Sequence, residues 1–126
     1  AEQEIKGGNY ISNSGSDENG RATGGKAGTR QEMNGLFVDG IIVRGIVFRY
    51  PDTNVANKIS ELSIKAARNN KIGYNQNNRY SYWTLLQKAN YDPSAITTAC
   101  DADCSAGVIA NTKATGYILG ITALKN

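Results

Sequence analysis

Histidine does not occur among the 126 residues. No side chain therefore has an unperturbed pKa that changes charge near neutrality, and imidazole-based metal sites and acid–base pairs cannot be built from this chain alone. Cysteine occurs twice, at positions 100 and 104. That is too few for a disulfide framework, and without histidine it cannot complete a four-ligand zinc site, so no metal and no cofactor are expected. No apolar run reaches the roughly 20 residues that a membrane-spanning helix needs, and the N-terminal residues have no signal-peptide core. The chain reads as soluble, or as already trimmed, with no membrane partner. Massed charge of one sign is also missing: 14 Lys and Arg against 11 Asp and Glu leave +3, scattered along the sequence. Such a balance suits contact with an anionic polymer but is far from a nucleic-acid footprint.

The length is that of one domain, and 40% hydrophobic residues suffice for a small core. Residues 1–35 are dominated by Gly, Ser, Asn and charges, so they read as a flexible arm that cannot offset its ordering entropy by burial. Within it, Gly20-Arg21-Ala22-Thr23-Gly24-Gly25-Lys26-Ala27 approaches a phosphate-binding loop. Ala27, however, stands where a Ser or Thr must hold magnesium, and no apolar strand precedes the loop.

Residues 36–126 read as the folded part. Leu36-Phe37-Val38, Ile41-Ile42-Val43 and Ile46-Val47-Phe48 suggest one or two strands, with Asp39-Gly40 as a tight turn. Pro51 and Asp52 then offer a helix start, and Val55, Ile59, Leu62 and Ala66 make an apolar stripe that ends near Asn69 and Asn70. A shorter helix is expected over residues 81–88, with Tyr82, Leu85, Leu86 and Ala89 on one side and Trp83 in a packing role. Tyr91-Asp92-Pro93-Ser94 is a turn. After Cys104 a third helix begins, packing on the first so that Ile59, Leu62 and Val108 are covered, with Gly107 allowing close approach of a neighbour. Tyr117-Ile118-Leu119-Gly120-Ile121 reads as a strand.

Cys104 carries the functional reading. It follows Asp103, the expected helix N-cap, and a thiol there faces the first-turn amides and the positive end of the helix dipole, which favour the thiolate. As a bland alternative, a buried cysteine at a helix start is simply a small hydrophobe. A second alternative is a Cys100–Cys104 disulfide, which requires the backbone to bend, because a helix starting at Asp103 points the two side chains apart.

The surrounding residues sharpen the choice. Ile72, Gly73, Tyr74, Gln76 and Arg79 precede the Asp92-Pro93 turn, and Cys100, Asp103, Cys104 and Ser105 follow it. This spacing resembles the NlpC/P60 class of papain-like cysteine peptidases, in the form found in phage lysins and prophage peptidoglycan hydrolases. The likeness extends upstream through residues 15–20, 24–28 and 49–52 and so covers most of the chain. It departs where relatives carry Asp-Gln-Thr-Gly and this chain has Thr29-Arg30-Gln31-Glu32, and again at residues 42–46.

What the resemblance implies is an α+β fold, a partial papain-like domain over residues 36–126 with a few helices packed on a small antiparallel sheet. The family's usual C-terminal sheet would be lacking, since about twenty residues follow the nucleophile's helix. Cys104 would be the nucleophile and Asp103 its helix cap, with Tyr74, Gln76, Arg79 and Ser105 lining or bracing the cleft. Peptidoglycan would be the substrate, cut at a peptide bond. Family members use a histidine as acid and base, so a second chain or further portion would have to supply one. The place of action would be extracellular or at the cell wall, or inside a phage-infected host before lysis. The competing expectations are a non-catalytic wall-binding or virion module on the same scaffold, and a protein that self-associates through strands at 36–50 and 117–121.

Overall fold

The computed structural model describes residues 10–11, 36–37 and 50–126. The expectations for the arm, for the phosphate-loop lookalike and for most of residues 36–50 lie outside the described residues. Two short strands, β1 (Tyr10–Ile11) and β2 (Leu36–Phe37), pair antiparallel with Tyr10 opposite Phe37.

Helix α1 (Thr53–Arg68) begins where Asp52 caps it, the Asp52 carboxylate accepting from the Asn54 amide at 2.8 Å. Val55, Leu62 and Ala66 are its buried residues, and Ile59 is half-buried. Lys65 and Arg68 occupy the last turn, where positive charge complements the helix dipole. Asn69 then takes an extended conformation and ends the helix. Its side-chain amide donates to the carbonyls of Pro93 and Ile96 at 2.8 and 2.9 Å, tying the end of α1 to the turn at 93–95.

Strand β3 (Ile72–Tyr74) follows, then a 3-10 turn (Gln76–Asn78) and helix α2 (Ser81–Lys88). Tyr82 and Leu86 are buried, with Trp83, Leu85 and Ala89 packed against the same core. The chain leaves α2 through Asn90 and Tyr91, both left-handed at φ 53° and 63°. The Tyr91 amide donates to the Leu86 carbonyl at 2.8 Å, the wrap that closes a helix C-terminus. The expected turn after Tyr91 is present as a 3-10 turn (Pro93–Ala95), with Asp92 accepting from the Ser94 amide and hydroxyl.

Strand β4 (Cys100–Ala102) returns beside β3, and helix α3 (Cys104–Leu119) starts two residues later. The domain is therefore α+β, but β3 and β4 run parallel, with Ile72 opposite Cys100, Gly73 opposite Asp101 and Tyr74 opposite Ala102. An antiparallel sheet beneath the helices was the expectation. Parallel pairing prevails because a long connection containing α2 separates the strands, and such a crossover brings the chain back in the same direction.

The core lies among α1, α2, α3 and this strand pair, formed by Leu62, Ala66, Ile72, Tyr82, Leu86, Ile96, Cys100, Ala102, Ala110 and Ala114. A polar line crosses it. The Tyr82 hydroxyl donates to Asn111 Oδ1 at 2.7 Å, Asn111 Nδ2 donates to Ser63 Oγ at 3.2 Å, and Ser63 Oγ donates to the Ile59 carbonyl at 2.8 Å. All three helices are joined by it, and burial raises the Tyr82 phenol pKa well above its usual value.

The C-terminal part corrects three expectations. Residues 117–119 continue α3 and are not a strand. Gly120, left-handed at φ 71°, ends the helix, and the Ile121 amide closes back on the Gly116 carbonyl at 2.8 Å. A short apolar run followed by glycine fits a helix end as well as a strand, and packing decides for the helix. Strand pairing between copies through 117–121 thereby loses its basis. Val108 is 66% exposed, because α3 turns Ala110, Asn111, Ala114 and Thr115 inward instead. A Cβ at Gly107 would meet only Ala102 Cβ, at an ordinary 3.7 Å, so close approach does not explain that glycine. The intimate contact lies at Gly116, where a Cβ would come within 2.7 Å of Leu124 Cβ and 2.9 Å of the Leu124 backbone carbon.

Candidate functional site

Because β3 and β4 are parallel, both release their chains at the same edge: β3 into the turn at 76–78, β4 into the start of α3. Ligand sites of parallel sheets gather at that edge. Here it brings together residues that are more than twenty positions apart in sequence.

Asp103 is the centre of the arrangement, buried to 6% exposure in a chain that is extended at this residue. Its Oδ1 accepts from the Ala106 amide at 2.7 Å and from Ser105 Oγ at 3.0 Å, capping α3. Its Oδ2 accepts from Arg79 Nη1 at 3.1 Å. The Ala106 amide, then the Arg79 and Ser105 donors, hold the Asp103 carboxyl below the ordinary carboxylate range against the opposing effect of burial. Arg79 is raised in turn, chiefly by that bond to Asp103. Its guanidinium also stands 5.2 Å from the centre of the Tyr80 ring, which is 68% exposed.

Cys104, the first residue of α3, is exposed; Cys100, inside β4, is buried, and both are free thiols. The disulfide alternative is not what the structure contains. Burial, and then the neighbouring Asp101 charge, push the Cys100 thiol up to about 11, which makes it an inert core residue. The two cysteines thus have opposite settings although only three residues separate them.

Of the other residues expected at the site, Ser105 and Arg79 join Asp103 directly. Tyr74 is 7% exposed in β3, opposite Ala102. Gln76 is exposed on the turn and makes no hydrogen bond to this group among the described residues. Three further residues belong to the cluster and were not singled out. Asp101 Oδ2 accepts from Asn78 Nδ2 at 2.9 Å, and the Asp101 amide donates to Ser81 Oγ at 2.8 Å. Ser81 Oγ in turn donates its single proton to the nearer Asn78 carbonyl at 2.8 Å, with the Asp101 carbonyl 3.3 Å away. The available signal was period-two spacing: Asp101 and Asp103 lie on one side of an extended segment and face the consecutive residues Asn78 and Arg79.

Among the described residues no group of three or more acidic or cysteine side chains could hold a metal ion. On the side of the molecule built by α2 and α3, Trp83 is half-buried against Tyr91 and Tyr117, at ring separations of 6.2 and 6.3 Å. Tyr91 and Tyr117 stack at 4.8 Å, and the ammonium groups of Lys113 and Lys125 cover the Trp83 and Tyr117 rings. These faces are already occupied from within the chain.

The fold and site define a small α+β domain that offers one accessible thiol at the first turn of a helix, braced by a capped aspartate and an arginine. A family model for the endolysin-like domain matches residues 11–126. The chain belongs to that family. No curated protein and no solved structure matches it.

Proposed function

We propose that this domain is the nucleophile-bearing part of a peptidoglycan-directed cysteine peptidase of the NlpC/P60 kind, phage-encoded and acting on the bacterial wall. The observation that carries the reading is the exposed Cys104 at the start of α3, beside an Asp103 fixed by both the helix amide and Arg79. Membership of the endolysin-like family supports a lysin-related role and peptidoglycan as the target. In this reading the Cys104 sulfur attacks an amide carbonyl of the wall peptide, the C–N bond breaks as the amine takes a proton, and water then hydrolyses the thioester. The 126 residues contain no histidine to supply that proton, so a second polypeptide or portion provides the acid and base.

The same lack of histidine favours a second reading, in which the scaffold is kept as a non-catalytic wall-binding or virion module. A muropeptide analogue carrying a thiol-reactive group at the scissile position separates the two. The peptidase reading expects saturable labelling of Cys104, abolished in Cys104→Ala. Saturable binding of muropeptides without labelling selects the binding module, and neither binding nor labelling sinks both.

A further inference from the structure

Asp101 is a buried carboxylate one residue into β4, and it is tethered unevenly. Oδ2 is held by Asn78, whereas Oδ1 is buried with no hydrogen-bond partner. An unsatisfied buried oxygen is a cost to the fold. The bond from Asn78 to the other oxygen is the contact that the carboxylate makes. Residues 78–81 are fastened to β4 by two anchors: the Asn78 side chain on Asp101 Oδ2, and Ser81 Oγ accepting from the Asp101 backbone amide, a bond that any residue at position 101 would keep. Arg79 sits between those anchors, and its Nη1 donates to Asp103 Oδ2 at 3.1 Å.

We infer that Asp101 is a positioning residue for the site: its carboxylate holds Asn78 so that the next residue, Arg79, meets Asp103, which in turn fixes the first turn of α3 and the direction in which Cys104 is presented. Asp101 and Asp103 act as paired clamps, two positions apart on an extended segment, closing on the consecutive residues Asn78 and Arg79. The inference rests on the reading of Cys104 as the working thiol. It is tested by the thiol's chemistry and not by wall cleavage, so its failure is distinguishable from failure of the peptidase reading.

The experiment measures the rate at which iodoacetamide alkylates Cys104 in the folded full chain, with Cys100→Ser as background, for Asp101→Ala, Asp101→Asn, Asn78→Ala and Arg79→Ala. A frayed first turn no longer holds Cys104 in one direction. Asp101→Ala and Asn78→Ala are expected to slow alkylation roughly 3- to 10-fold, as coupled neighbours do. Asp101→Asn keeps an oxygen for Asn78 and restores the rate, which a merely structural loss of the buried charge would not do. In an Arg79→Ala background, Asp101→Ala should have no further effect. Should Asp101→Ala fail to fold, Asn78→Ala carries the test, since Asn78 is exposed and its truncation opens no cavity. Independent, multiplying effects of Asp101→Ala and Arg79→Ala, or an Asn78→Ala rate equal to the parent's, would overturn the proposal.

Discussion

Two glycines of the same helix have opposite reasons to be glycine. Gly107 has ordinary room for a methyl group, so Gly107→Ala should raise stability by about 0.5–1 kcal/mol through helix propensity. Gly116 touches the backbone of Leu124, and Gly116→Ala should cost about 1–3 kcal/mol, since the returning 3-10 turn (Thr122–Leu124) must shift. Urea unfolding of the two variants should therefore move the midpoint in opposite directions; a loss at Gly107 as large as at Gly116 would contradict the packing described. The cysteines give a second contrast at this scale. Cys104 is exposed, whereas Cys100 is buried with its thiol pushed up to about 11, so near neutral pH a small alkylating reagent should modify Cys104 and leave Cys100 until the chain unfolds. Mass spectrometry of the digested product reads the outcome directly, and equal labelling of both thiols in the folded state would refute it.

Among the elements, the helices were legible because their ends are chemically marked. Asp52 and Asp103 cap α1 and α3 as their positions suggest, and the stripe through Leu62 and Ala66 faces the core as periodicity requires. Strands β3 and β4 were not legible: three residues offer too little alternation to detect, and Asp101, a charged residue, stands in the middle of a buried strand. The end of α3 was misread because β-branched and aromatic residues before Gly120 fit either state. At the site, Asp103, Ser105 and Arg79 were legible and meet in space, whereas Asp101, Asn78 and Ser81 were not, since what marks them is pairing across the fold. The cap of α3 also has a pH signature. With its folded pKa held below the usual value, Asp103 contributes stability that is complete above the unfolded value near 4 and is lost as pH falls through the folded pKa. Asp103→Asn keeps a capping oxygen but cannot titrate. Stability of the parent chain, followed by urea midpoints from about pH 5 to about pH 2, should fall more steeply than that of the variant. Parallel profiles would show that Asp103 is not held low. Glu61 and Asp92, also held below their usual range by Lys58 and Lys65 and by Ser94 respectively, contribute the acid loss that both proteins share.

For the whole molecule, the site and the chain's composition pull in different directions, and the tension decides what the isolated chain can do. Cys104 is accessible and its surroundings are ordered, so positioning of a nucleophile is within the domain's means. Acylation also needs a proton for the departing amine, and deacylation needs a base to activate water. With no histidine in the sequence, none of the chain's side chains ordinarily exchanges a proton in both directions near pH 7. Loss of one member of such a catalytic set typically costs several orders of magnitude in rate. The purified chain, incubated with cell walls while newly released amines are followed, is therefore expected to show no release above that of Cys104→Ala. Under the proposed peptidase reading, addition of a histidine-bearing partner switches release on, and only with Cys104 intact. Cysteine-dependent cleavage by the chain alone would overturn this expectation.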